Sequence, residues 1–141
     1  MTSNKVTCGL VIAAALAGGC GGSDDGADDA GPEDVVRTYL EAVADGDGER
    51  ACDQLTDDVQ RQAVDFLSAQ LPQLEASSCA DGLGQLAEDL GEEEKDGLRD
   101  PGEASAEIDG DTAIVRFEQG TTDAELTKEG DSWLISGGLF E

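Results

Sequence analysis

The sequence predicts an α+β domain in which several helices precede an antiparallel sheet and cover one of its faces. Three observations carry this. From Val35 to Leu90 the apolar residues recur at helical spacing, and from Ala104 to Ile135 they alternate with polar ones. Between the two stretches lies a polar break, Glu92-Glu93-Glu94-Lys95-Asp96-Gly97 followed by Asp100-Pro101-Gly102, that fits neither period. A sheet with one apolar face has to be covered, and the helices are the elements available to cover it, which gives two layers.

The first helix opens at Pro32. Proline suits a first helical turn because it has no N–H to leave unpaired, and Glu33 and Asp34 favour the positive end of the helix dipole. Val35, Val36, Tyr39, Leu40 and Val43 form its apolar stripe. Asp45-Gly46-Asp47-Gly48 stops it, with Gly46 or Gly48 able to take the left-handed cap. A short helix is expected over residues 49–55. Thr56 is a natural N-cap for a longer helix carrying Val59, Ala63, Phe66, Leu67 and Leu74, bent at Pro72. Ser78 caps the next one, on which Leu83, Leu86, Ala87 and Leu90 line one face. Four strands follow, bearing Ala104, Ala106 and Ile108, then Ala113, Val115 and Phe117, then Ala124 and Leu126, and last Trp133 and Ile135. Asp109-Gly110-Asp111 and Glu129-Gly130-Asp131 supply the hairpin turns. Pairing Ile108 with Ala113, and Leu126 with Trp133, puts these apolar residues on one face. A slip of one residue would turn them to solvent.

Composition excludes some functions. Eight Lys+Arg oppose 33 Asp+Glu, for a formal charge of −25, and there is no histidine. Affinity for phosphate backbones rests on clustered cations, so nucleic acid is not expected as a partner. The missing histidines remove the commonest acid–base group and metal ligand at neutral pH. Asp45-Gly46-Asp47-Gly48-Glu49 has carboxylates at alternate positions but lacks the twelve-residue pattern of a calcium loop, and it reads as a turn. No metal or cofactor is expected.

The residues before Pro32 have a different character. Lys5 and the amino terminus are followed by an uncharged run whose apolar part, Leu10 to Ala17, is shorter than the roughly 20 residues that span a bilayer. Leu16-Ala17-Gly18-Gly19-Cys20 resembles the lipobox of bacterial lipoproteins. The resemblance implies that residues 1–19 are a signal peptide and that Cys20 is lipidated through its thiol. The protein would then be held at the extracytoplasmic face of the cell membrane by a lipid anchor. Ala15-Leu16-Ala17 also satisfies the rule for ordinary secretory cleavage, but that route would leave Cys20 exposed and unpaired in an oxidising compartment. Residues 20–31 are rich in Gly and Asp, have nothing to bury, and read as a flexible tether of about 18 Å by coil scaling. The folded domain is expected over 32–141.

Within that domain, Val35-Val36-Arg37-Thr38-Tyr39-Leu40-Glu41-Ala42-Val43-Ala44-Asp45-Gly46-Asp47, then Ala51-Cys52 with Leu55-Thr56, then the two late turns, resemble in this order the NTF2-like superfamily. The resemblance implies a cone: a curved antiparallel sheet, here of about four strands, folds around N-terminal helices and leaves a pocket. Tyr39, Phe117 and Trp133 are its candidate pocket residues. It further implies a non-enzymatic binding domain whose partner is an apolar small molecule or an envelope protein. The alternatives are an enzyme of isomerase or hydrolase type using the same cavity, and a structural module whose cone is filled. Ketosteroid isomerase-like members place a tyrosine at the position of Tyr39 to donate to a developing oxyanion. Their companion base would follow the second helix, where this chain has Asp57-Asp58 at a helix start. Exported actinobacterial members often carry a cysteine pair like Cys52 and Cys79, and an oxidising compartment favours a bridge over two separately buried thiols. Closing a loop of that length would stabilise the fold by roughly 3.5 kcal/mol in the chain-entropy picture.

Overall fold

Capping chemistry sets most boundaries in the computed structural model, which describes residues 30–120 and 123–140. The expected signal peptide, Cys20 and the expected tether as far as Asp29 lie outside the described residues. Helix α1 (Pro32–Asp45) ends on Gly46, whose φ of 76° is the left-handed cap. Helix α2 (Gly48–Cys52) starts on Asp47, whose carboxylate accepts from the Arg50 N–H at 3.1 Å. Thr56 Oγ1 accepts from the Val59 N–H to start α3 (Asp57–Gln70), and Ser78 Oγ from the Asp81 N–H to start α4 (Cys79–Asp89). After α5 (Glu92–Arg99) come β1 (Ala104–Asp109), β2 (Thr112–Phe117), β3 (Ala124–Glu129) and β4 (Ser132–Gly137). The strands form one antiparallel sheet in the order β1-β2-β3-β4, so the α+β class and the four-stranded meander are as expected.

Four local expectations need correction. Pro72 ends α3 rather than bending it: the residue before a proline is driven out of the helical region, and Leu71 sits at φ −129°, ψ 66°. Leu74 is nevertheless buried, from the loop. The short helix stops at Cys52, and Leu55 instead forms a parallel bridge to Ile135 on the outer side of β4. The polar break holds a helix, α5. Finally, Leu126 pairs with Ile135, and Trp133 with Lys128. That register is two residues from the expected one, because the turn is centred on Gly130 and Asp131, with Gly130 in the left-handed region at φ 63°. A two-residue shift keeps the parity of the strand, so the same side chains still face the helices.

The core lies between the helices and that face. Ile108 pairs with Ala113, Ala113 with Leu126 and Leu126 with Ile135, which makes one row across the sheet that continues into the bridge to Leu55. Val59, Ala63 and Leu67 of α3 and Leu83 of α4 are fully buried in the same core. Two expected core residues are not in it. Ile108 is 58% exposed, at the hairpin end of the edge strand, and Phe66 is 37% exposed, one position off the α3 stripe with its ring 5.8 Å from that of Phe140.

The closest helix contact is between α2 and α4. A Cβ built on Gly48 would lie 1.8 Å from the Ala80 carbonyl oxygen, so only glycine permits this approach. At the same contact Cys52, at the end of α2, is joined to Cys79, at the start of α4, across a Cα–Cα distance of 6.1 Å. Two devices thus fasten one pair of elements.

Candidate functional site

A cavity of about 540 Å³ opens between α1, α4, α5 and the far end of the sheet. Its α1 wall is Val36, Tyr39, Leu40 and Val43, which share a face because they recur at three, four and seven positions. Leu86 and Leu90 come from α4 and the residue after it. Leu98 and Gly97 of α5 close a third side, with Phe117, Ala124 and Leu139 at the base. The polar side chains on the wall are Tyr39, Gln119 and Glu94. Such a mostly apolar concavity with few polar groups is the usual form of a small-molecule site.

Helix α5 makes the cavity. Its start is fixed by Glu94, whose carboxylate turns back to accept from the Gly91 N–H at 2.7 Å. Its end is tied to the end of α1 by Arg99, whose guanidinium donates to Asp45 Oδ1 at 3.0 and 3.2 Å. That hydrogen bond to Asp45 is also the main cause that raises the Arg99 pKa. Without α5 one side of the cavity would be open to solvent.

Of the expected pocket residues, the structure brings Tyr39 and Phe117 together in this wall and leaves Trp133 out. The meander explains the separation. Phe117 ends β2, whereas Trp133 lies at the hairpin end of β4, opposite Lys128, whose Nζ is 5.8 Å from the indole ring. Phe117 is backed by Arg37, with Cζ 5.3 Å from the ring centroid and Nη2 donating to the Gly102 carbonyl at 2.9 Å. Tyr39 is buried, and loss of solvation pushes its phenol well above the usual value of 10.0. It is therefore a neutral group at physiological pH. Among the described residues no side-chain polar atom is buried without a partner, so the Tyr39 hydroxyl is satisfied or open to the cavity.

Asp57 and Asp58, where the resemblance would put a catalytic base, are exposed in the first turn of α3 and do not line the cavity. A second, more open concavity, against the disulfide, is lined by charged and polar side chains such as Asp57, Gln60, Arg61 and Asp65 together with Val64 and Cys79. Among the described residues there is no cluster of three potential metal ligands, and no helix is long and apolar enough to cross a membrane. Sequence reasoning missed Glu94, Leu98 and Leu139. The signal for the first two was present as three acidic residues before a lone Leu98 and Arg99, which is an acidic first turn followed by a basic last turn. No family model, curated protein or solved structure matches the chain.

Proposed function

We propose that this chain is an exported, lipid-anchored binding protein whose NTF2-like domain holds an apolar small molecule in the cavity between α1, α4, α5 and the sheet. The observation that carries the reading is the cavity itself: about 540 Å³, walled by Val, Leu, Ala and Phe side chains. Filling it removes apolar surface of both ligand and wall from water, worth about 25 cal/mol per Å² before the cost of association. The helices-then-meander order supports the NTF2-like cone. The charged start, short apolar run and small residues before Cys20 support export and acylation of that thiol.

Binding is favoured over catalysis by the state of the polar groups. A proton-transfer site pairs its donor with a base within hydrogen-bond reach of a substrate. Here Tyr39 could serve as the donor, but the cavity's carboxylate, Glu94, is exposed and engaged in capping α5, which leaves the donor without a buried base. The test is mass spectrometry of the protein extracted from membranes in mild detergent. The expected spectrum shows a diacylglyceryl mass on Cys20 and a co-extracted apolar molecule. A mature chain without lipid and without any carried molecule, in extracts where other lipid-anchored proteins retain theirs, would end the proposal.

A further inference from the structure

Resting on that reading of the cavity, we infer that its occupant is an apolar molecule whose polar end donates a hydrogen bond, an alcohol or an amine, and that anionic amphiphiles such as carboxylates and sulfonates are refused. The decisive fact is where the cations are. Seven Lys or Arg residues fall within the described residues, and none lines the cavity. Five of them are committed to carboxylates: Arg50 to Glu41, Arg61 to Asp58, Lys95 to Glu92, Arg99 to Asp45 and Asp96, and Arg116 to Glu107 and Asp123. Arg37 sits behind the Phe117 ring and Lys128 beside Trp133, at the other end of the sheet.

The one acidic side chain on the wall is Glu94. One of its oxygens accepts from the Gly91 N–H, and the group is exposed, which leaves the carboxylate able to accept from a ligand at the mouth. A carboxylate or sulfonate brought there would meet like charge with no cation on the wall to offset it, a repulsion that low salt leaves little screened. The field of a chain with charge −25 adds to the exclusion at a distance. A hydroxyl or ammonium donor meets neither penalty.

The experiment uses the full chain and two naphthalene dyes of the same shape, N-phenyl-1-naphthylamine and its sulfonated form, 1-anilinonaphthalene-8-sulfonate. The expected result at about 10 mM salt, where charges are little screened, is fluorescence enhancement by the neutral dye and at least tenfold weaker binding of the sulfonate. Glu94→Gln keeps the α5 cap, since an amide oxygen can accept from Gly91, and it should narrow that ratio at least threefold. Leu90→Trp, which puts an indole into the cavity, should weaken the neutral dye's binding at least threefold with far-ultraviolet circular dichroism unchanged. Equal affinities for the two dyes, or a ratio untouched by Glu94→Gln, overturn the charge selection while leaving the cavity reading intact. No binding of the neutral dye to the wild-type chain overturns the cavity reading and this inference together.

Discussion

Cutting the link between α2 and α4 gives the sharpest prediction about the fold. Cys52 and Cys79 are 27 residues apart, and in the chain-entropy model a loop of that size stabilises the folded state by about 3.5 kcal/mol. Ordinary domains have about 5–15 kcal/mol in total, so reduction should leave this one marginal. Both cysteines are buried, and substitution would also remove packing, so the clean comparison is the wild-type chain with and without reductant. Urea unfolding followed by circular dichroism should show a midpoint lowered by the equivalent of about 3.5 kcal/mol. For a domain of this size that is a fall in Tm of about 15 °C. The slope of the transition should steepen on reduction, because the released unfolded chain exposes more surface. A reduced protein within about 1 kcal/mol of the oxidised one would mean that the unfolded chain already keeps the two cysteines close, so that the cross-link has little to constrain.

Two glycines should respond in opposite directions. Gly48→Ala drives a methyl into the Ala80 carbonyl and should cost about 3 kcal/mol or more in urea unfolding. Gly97→Ala in α5, where an added Cβ meets nothing within 4 Å, should stabilise by about 0.5–1 kcal/mol. Tyr39 is the single tyrosine of the chain, so ultraviolet titration reports it alone. Because its folded pKa is raised, the native state keeps a proton that the unfolded state loses above pH about 10, and stability must fall as pH rises from there. Phenolate absorbance should be absent from native protein at about pH 11 and appear together with unfolding. Gradual ionisation of a folded protein near pH 10 would refute the burial. Added sodium chloride should raise Tm, since it screens the repulsion within a chain of charge −25, and a flat or falling Tm would show that local ion pairs outweigh that repulsion.

Much of this architecture was legible because its signals are local. Thr56 and Ser78 marked helix starts, Gly46 a helix end, and the alternation around Ala113, Val115 and Phe117 a strand with one buried face. What escaped depends on partners distant in the chain. Helix α5 has one large apolar residue, Leu98, and its place is set by Arg99 reaching Asp45, which no periodicity shows. The register of the second hairpin has two solutions of the same parity, and the conformation of Gly130 rather than the apolar pattern chooses between them. Val36, Leu40 and Val43 looked like ordinary core beside Tyr39, and an apolar stripe does read the same whether it meets another helix or the wall of a cavity.

The central claim is that the space beside α1 is a binding site, and methyl NMR tests it at the residues themselves. On titrating the neutral naphthylamine into the labelled full chain, the methyl signals of Val36, Val43, Leu86, Leu90 and Leu98 should shift together. Those of Val59 and Ile135, buried elsewhere in the core, should stay in place. Shifts spread over the surface, or cavity methyls that never move while the dye binds, would contradict the account.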